Sequence, residues 1–173
     1  MTVVLYPVIL FSQNHRYATF QKTFENNFLR HFRAGEHLYQ DGICFQYNDV
    51  IKIVINEKSN VIAMSSSENS PKWMKEEMKR LNNRMKINLL DSISKAEGIQ
   101  RVVIIFPFDL RTGGICNDTH KYSNSEFDKY SKIKKEGKNI KGIVIANTIY
   151  TSSLPPIRCR GGYQSSRPLL LQN

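Results

Sequence analysis

The chain is poor in cysteine, has one tryptophan and holds no long hydrophobic run. Each shortage excludes something. Three cysteines, Cys44, Cys116 and Cys159, stand far apart in 173 residues. None belongs to a Cys-x-x-Cys pair, so a zinc ribbon or a thioredoxin-type redox motif is excluded. Their odd number argues against a disulfide framework and points to a reducing interior, cytoplasmic or nuclear. No apolar stretch approaches the roughly 20 residues that span a bilayer, so no membrane partner is expected. The opening run, Met1 to Phe11, is apolar but short. It lacks a basic leading segment and a small-residue cleavage site, so it does not read as a secretory signal. Gly-x-Ser-x-Gly is absent, and no internal repeat is evident. Arg111-Thr-Gly-Gly114 lacks the lysine and spacing of a phosphate loop. His15, His31 and His37 share no zinc-ligand spacing. No cofactor is implied.

Acids are missing from the end of the chain. The last is Glu136, and Lys138, Lys141, Arg158, Arg160 and Arg167 follow unopposed. Residues 1–50 carry four Lys/Arg against four Asp/Glu, and residues 101–173 carry twelve against five. Formal net charge is +10. A neutral half joined to a positive half describes a scaffold presenting a cationic surface, and phosphate backbones are the commonest partner for one.

The length fits one domain with a core of its own. Thr2 to Phe11 is β-branched and apolar on both faces and predicts an edge strand with Pro7 inside it. Tyr17 to Tyr39 predicts a helix, with Phe20, Phe24, Phe28 and Phe32 forming one core-facing stripe. Ile43–Tyr47, Val50–Ile55 and Val61–Ser65 read as a three-strand meander, with Asn48-Asp49 and Glu57 to Asn60 as its turns. Ser70-Pro71 opens a long helix that should run to about Glu97 and stop at Gly98. Met74, Met78, Leu81, Met85 and Leu89 form its buried stripe. Arg101 to Phe108 predicts a central strand and Lys141 to Tyr150 another, with a short helix near Ser125 to Glu136 between them.

The expected fold is α/β or α+β: a single mixed β-sheet with helices packed on it. A ferredoxin-like split βαβ sandwich and a restriction-endonuclease-like αβββαβ core both fit. Residues 1–150 form the domain, and residues 151–173 form a basic tail rich in Pro, Gly and Ser.

Two basic groups stand out. Lys72, Lys75, Lys79, Arg80, Arg84 and Lys86 lie on the second helix beside Trp73, with Glu76 and Glu77 as local acids. Lys129, Lys132, Lys134, Lys135, Lys138 and Lys141 follow within 13 residues, opposed by Glu136. In the tail, Arg158-Cys-Arg160-Gly-Gly-Tyr163 resembles one unit of an RGG-type RNA-binding segment. These residues would track phosphates, with RNA favoured over DNA because no helix-turn-helix is evident. The tail, with Leu169, Leu170 and Leu171, could also engage a protein partner.

Two acidic groups offer enzymatic alternatives. Asp109, Asp118 and His120 follow the central strand and could hold a divalent ion there. Asp49 with Glu57 and Lys58 resembles the acid and acid-x-Lys set of metal-dependent PD-(D/E)XK nucleases, although here the acid and lysine are adjacent. That resemblance implies carboxylates on a metal and a lysine orienting water. The leading expectation is a non-enzymatic RNA-binding protein or ribonucleoprotein subunit. A metal-dependent nuclease and an accessory protein that binds an acidic partner are the alternatives.

Overall fold

The computed structural model describes residues 6–33, 43–85, 89–112 and 118–153. Two long strands dominate it: β1 (Ile43–Ile55) and β3 (Val102–Thr112). They pair antiparallel from Gln46 opposite Arg111 to Ile55 opposite Val102. Each outer side of this central pair is shared by two short strands. On β1, the parallel β4 (Asp118–Ser123) covers residues 43–48, and the antiparallel β2 (Val61–Ser66) covers residues 51–55. On β3, the parallel β5 (Ile143–Ile145) and β6 (Ile149–Ser153) cover residues 103–105 and 108–112. The result is one mixed six-stranded sheet with a break in both edges.

The breaks face each other across the central pair. Asp49 and Val50 lie between the two pairings of β1, and they oppose Phe108 and Pro107 of β3. A proline has no N–H to give a ladder, and Pro107 sits between the β5 and β6 pairings of β3.

Side chains alternate across β1, so Tyr47, Asp49, Ile51 and Ile53 face one way and Asn48, Val50 and Lys52 the other. The first face holds the main core. Helix α1 (Tyr6–His31) lays Phe20, Phe24 and Phe28, all fully buried, onto β3. Phe24 meets Phe106 at 4.4 Å between ring centroids, and Phe28 meets Phe108 at 5.5 Å. Helix α2 (Lys72–Met85) adds Met74, Met78, Leu81 and Met85 to the same core. Helix α3 (Asp91–Glu97) closes its end, with Gly98 in the left-handed conformation at φ 62° as its stop. The second face is crossed by α4 (Ser125–Lys135), whose Glu126 pairs with Lys52 at 2.7 Å.

The mixed sheet with helices packed on it matches the expected class. Several elements differ from expectation. The apolar opening is helix over its described part, from Tyr6 onward; residues 1–5 lie outside the described residues. That helix ends at His31. Asn48-Asp49 is not a turn: the two expected strands around it are one continuous β1. The expected long helix to Glu97 is described in two stretches, α2 and α3, with residues 86–88 between them outside the described residues and Leu89 and Leu90 in π-helical turn before α3. Asp109 lies inside β3 rather than in a loop beyond it. Asp118 and His120 lie on β4, a strand the polar sequence concealed. β6 runs to Ser153, across the expected domain boundary at 150. Cys44 is disulfide-bonded; Cys116 and Cys159 lie outside the described residues. An odd count forbids a complete framework, not a single bridge. Among the described residues no helix is long and apolar enough to cross a membrane.

Candidate nucleic-acid interface

Both basic helices start from one polar knot at the break in the β1 edge. Asp49 is fully buried there. Its Oδ1 accepts from the Val50 N–H at 2.7 Å and the Ser67 hydroxyl at 2.6 Å. Its Oδ2 accepts from the Tyr47 and Ser70 hydroxyls. Four donors on two oxygens leave neither with a proton to give, the pattern of a carboxylate held by hydrogen bonds alone. Asn124 donates its side-chain amide to Ser67, and its backbone N–H reaches the Asn48 carbonyl at 3.0 Å. Burial, then the Asp49 charge, pushes the Tyr47 phenol far above its ordinary value. Tyr122, raised mainly by burial, stacks on Tyr47 at 4.9 Å and donates to the Asn69 carbonyl at 2.7 Å.

The knot fixes where the helices begin. Ser70 immediately precedes Pro71, whose carbonyl accepts from Met74 and Lys75 as α2 winds up. Asn124 caps α4, its side chain accepting from the Glu126 N–H at 2.9 Å. Each helix start brings positive backbone dipole toward the buried carboxylate, which helps to offset its lost hydration.

With the Met74, Met78, Leu81 and Met85 stripe locked inward, α2 turns Lys72, Lys75, Lys79 and Arg84 to solvent. Lys72 lies 3.8 Å from Glu76. Arg80 is different. It grips the buried Glu77 through Nε and Nη2, both at 2.7 Å, and donates to the His31 carbonyl at 2.6 Å. Glu77 also accepts from the Arg33 N–H at 2.7 Å. Arg80 therefore ties α2 to the end of α1, and its hydrogen bonds to Glu77 raise its pKa. Lys86 lies outside the described residues, as do Arg158 and Arg160.

On α4 the same sorting holds. Lys132 and Lys135 are exposed. Lys134 turns inward, donating to the Ala146 carbonyl at 2.6 Å and Asn147 Oδ1 at 2.5 Å. Burial lowers its pKa. Lys138 pairs with Glu136 at 2.7 Å, and Lys129 lies 5.3 Å over the Tyr130 ring. Arg80 and Lys134 are thus tied into the fold and leave the phosphate-contact set.

The acidic candidates are not gathered. Glu57 and Lys58 occupy the turn between β1 and β2, where Glu57 pairs with Arg101 at 2.9 Å in full exposure. Asp49 is six strand residues below the end of β1, roughly 20 Å away, and sealed. Asp109 is buried and clamped by Arg111 at 2.9 and 3.2 Å. It pairs with Asn48 on the second face of the sheet, whereas His120 pairs with Phe45 on the first and stacks on it at 5.6 Å. Asp118 is opposite Ile43, further along β4. Among the described residues no three His, Cys, Asp or Glu side chains cluster as metal ligands. A cleft of about 260 Å3 between α1 and α3 is lined by Arg16, Tyr17, Gly98, Ile99 and Gln100. None of the candidate acids lines it.

The knot itself escaped the sequence reading. Its signals were the serines at 65–67 and 70, and Asn124 directly before a helix opening Ser-Glu. No protein-family model, curated protein or solved structure matches this chain.

Proposed function

We propose that this chain is a non-enzymatic nucleic-acid-binding protein, or a subunit of a ribonucleoprotein, with RNA favoured over DNA. The observation that supports it most is the set of solvent-facing cations on α2, Lys72, Lys75, Lys79 and Arg84, on a helix whose other side is fixed in the core. Phosphate contacts need exposed, flexible cations at regular spacing, and this helix supplies them without cost to packing. The net charge of +10 adds long-range attraction for a polyanion.

The test is the salt dependence of RNA binding. With six to ten phosphate contacts, affinity should fall by roughly 10³ to 10⁵ between 50 and 200 mM salt. Replacing Lys75 and Lys79 by Gln should reduce the slope of log K against log salt by about two. A flat dependence, or no RNA binding beside tight binding to an acidic protein, would show that the basic surface serves a protein partner instead.

A further inference from the structure

The two basic helices lie on opposite faces of the sheet. Helix α2 packs on the face carrying Tyr47, Ile51 and Ile53, with Trp73 against Tyr47 at 4.9 Å. Helix α4 packs on the face carrying Lys52, through Glu126. It runs from Asn48 on β1 to Ala146, beyond β5. The exposed lysines of each helix point away from the sheet, Lys75 and Lys79 on one side and Lys132 and Lys135 on the other. Lys134, which would spoil this polarity, is tied down on Ala146 and Asn147. Two helices of about 10–12 Å diameter with a sheet between them separate the two lysine rows by about 30 Å.

We infer that the chain binds two nucleic-acid segments at once, one on each face, and so bridges them. This rests on the nucleic-acid reading above and adds a valence to it. A single stiff duplex cannot serve both rows. DNA bends smoothly only over roughly 150 base pairs, and turning from one face to the other would require a reversal within the thickness of this domain. Charge matches on both sides. Lys72, Lys75, Lys79 and Arg84 stand exposed with Glu76 on one side, and Lys129, Lys132, Lys135, Lys138 and Lys141 stand exposed with Asp128 and Glu136 in the segment of α4. The third acid of that segment, Glu126, is spent on Lys52. Each face therefore keeps a positive excess facing outward.

The experiment uses the full chain and a blunt RNA duplex of about 12 base pairs, too short to bend around the domain. Titration calorimetry at low salt gives the stoichiometry. A capture assay, in which an immobilised duplex retains a second, labelled duplex only through the protein, reports bridging. The wild type should take two equivalents and bridge. Lys75→Gln with Lys79→Gln, and separately Lys132→Gln with Lys135→Gln, should each lose the weaker or the stronger of two binding events. Each should reduce capture at least tenfold. All four positions are exposed, so folding should be unaffected, and far-ultraviolet dichroism verifies this. One equivalent in the wild type overturns the two-face inference while leaving the nucleic-acid reading intact. So does loss of the same single event in both variants. No binding of RNA in any form overturns both.

Discussion

Replacing Asp49 by Asn tests the account of the edge break more sharply than any surface change. The two side chains are nearly isosteric, so the cavity is unchanged. What changes is the donor balance. Each Asp49 oxygen accepts two hydrogen bonds, from Val50 and Ser67 on one side and from Tyr47 and Ser70 on the other. Whichever oxygen becomes an amide NH2, two donors then face a donor. Hydrogen bonds to a charged group contribute about 1.5–3 kcal/mol each, so the loss is about 3–6 kcal/mol. A neutral amide is cheaper to bury than a carboxylate, which returns part of this. A net loss of about 3 kcal/mol is expected, a large share of the 5–15 kcal/mol that typically holds a domain. Urea unfolding, followed by the fluorescence of the one tryptophan, Trp73, reads it directly. That ring lies 4.9 Å from Tyr47, inside the affected region. Ser65→Ala, exposed on the neighbouring strand, is the control and should move stability by less than about 0.5 kcal/mol. If Asp49→Asn stays within about 1 kcal/mol of wild type, the four hydrogen bonds do not hold the carboxylate as described.

Three further outcomes follow from the same contacts. Because the Tyr47 phenol is raised in the folded protein, the unfolded chain alone loses that proton near pH 10; stability should be intact below about pH 10 and fall above it. Tyr47→Phe should flatten that alkaline fall in part, since Tyr17 and Tyr122 shift in the same direction, and an unchanged pH profile would refute the assignment. Leu81→Ala, at a fully buried position, should cost about 2–5 kcal/mol in denaturant unfolding. Lys134→Met should cost about 1–2 kcal/mol by leaving the Ala146 carbonyl without its lysine, whereas Lys132→Met should be neutral within about 0.5 kcal/mol; equal effects would mean the two lysines have been assigned to the wrong sides of α4.

The parts of the fold that were legible are those where one period rules. The four phenylalanines of α1 recur every fourth residue and can only be a helical stripe. Met74, Met78, Leu81 and Met85 do the same for α2, and Gly98 marks the end of α3 as its left-handed φ requires. The illegible parts are those where tertiary bonds override local preference. Asn48-Asp49 has turn chemistry, but four partners brought from residues 47, 50, 67 and 70 hold Asp49 in a strand. β4 reads as loop because Asp118, Thr119, His120 and Lys121 are polar; it forms because β1 offers it an unpaired edge below the break. Lys141 to Tyr150 reads as one strand and is two, because the edge of β3 is interrupted at Phe106 and Pro107, opposite Ile51 and Val50.

Charge was legible in amount and not in direction. Counting cations finds α2 and α4 but treats Lys132 and Lys134 alike, although one faces water and the other a carbonyl. Helical phase decides between them. In α4 that phase is set by Phe127, Tyr130 and Ile133, none fully buried, so the hydrophobic pattern of the sequence was too faint to read it. Nor could a linear sequence say that the two basic groups end on opposite faces. It shows only in the contacts: α2 sets Trp73 against Tyr47, whereas α4 sets Glu126 against Lys52, five residues further along β1 and on its other side. Adjacent residues of a strand point to opposite sides. A single insertion before Asp49 would put the anchor of α2 on the wrong side of the sheet.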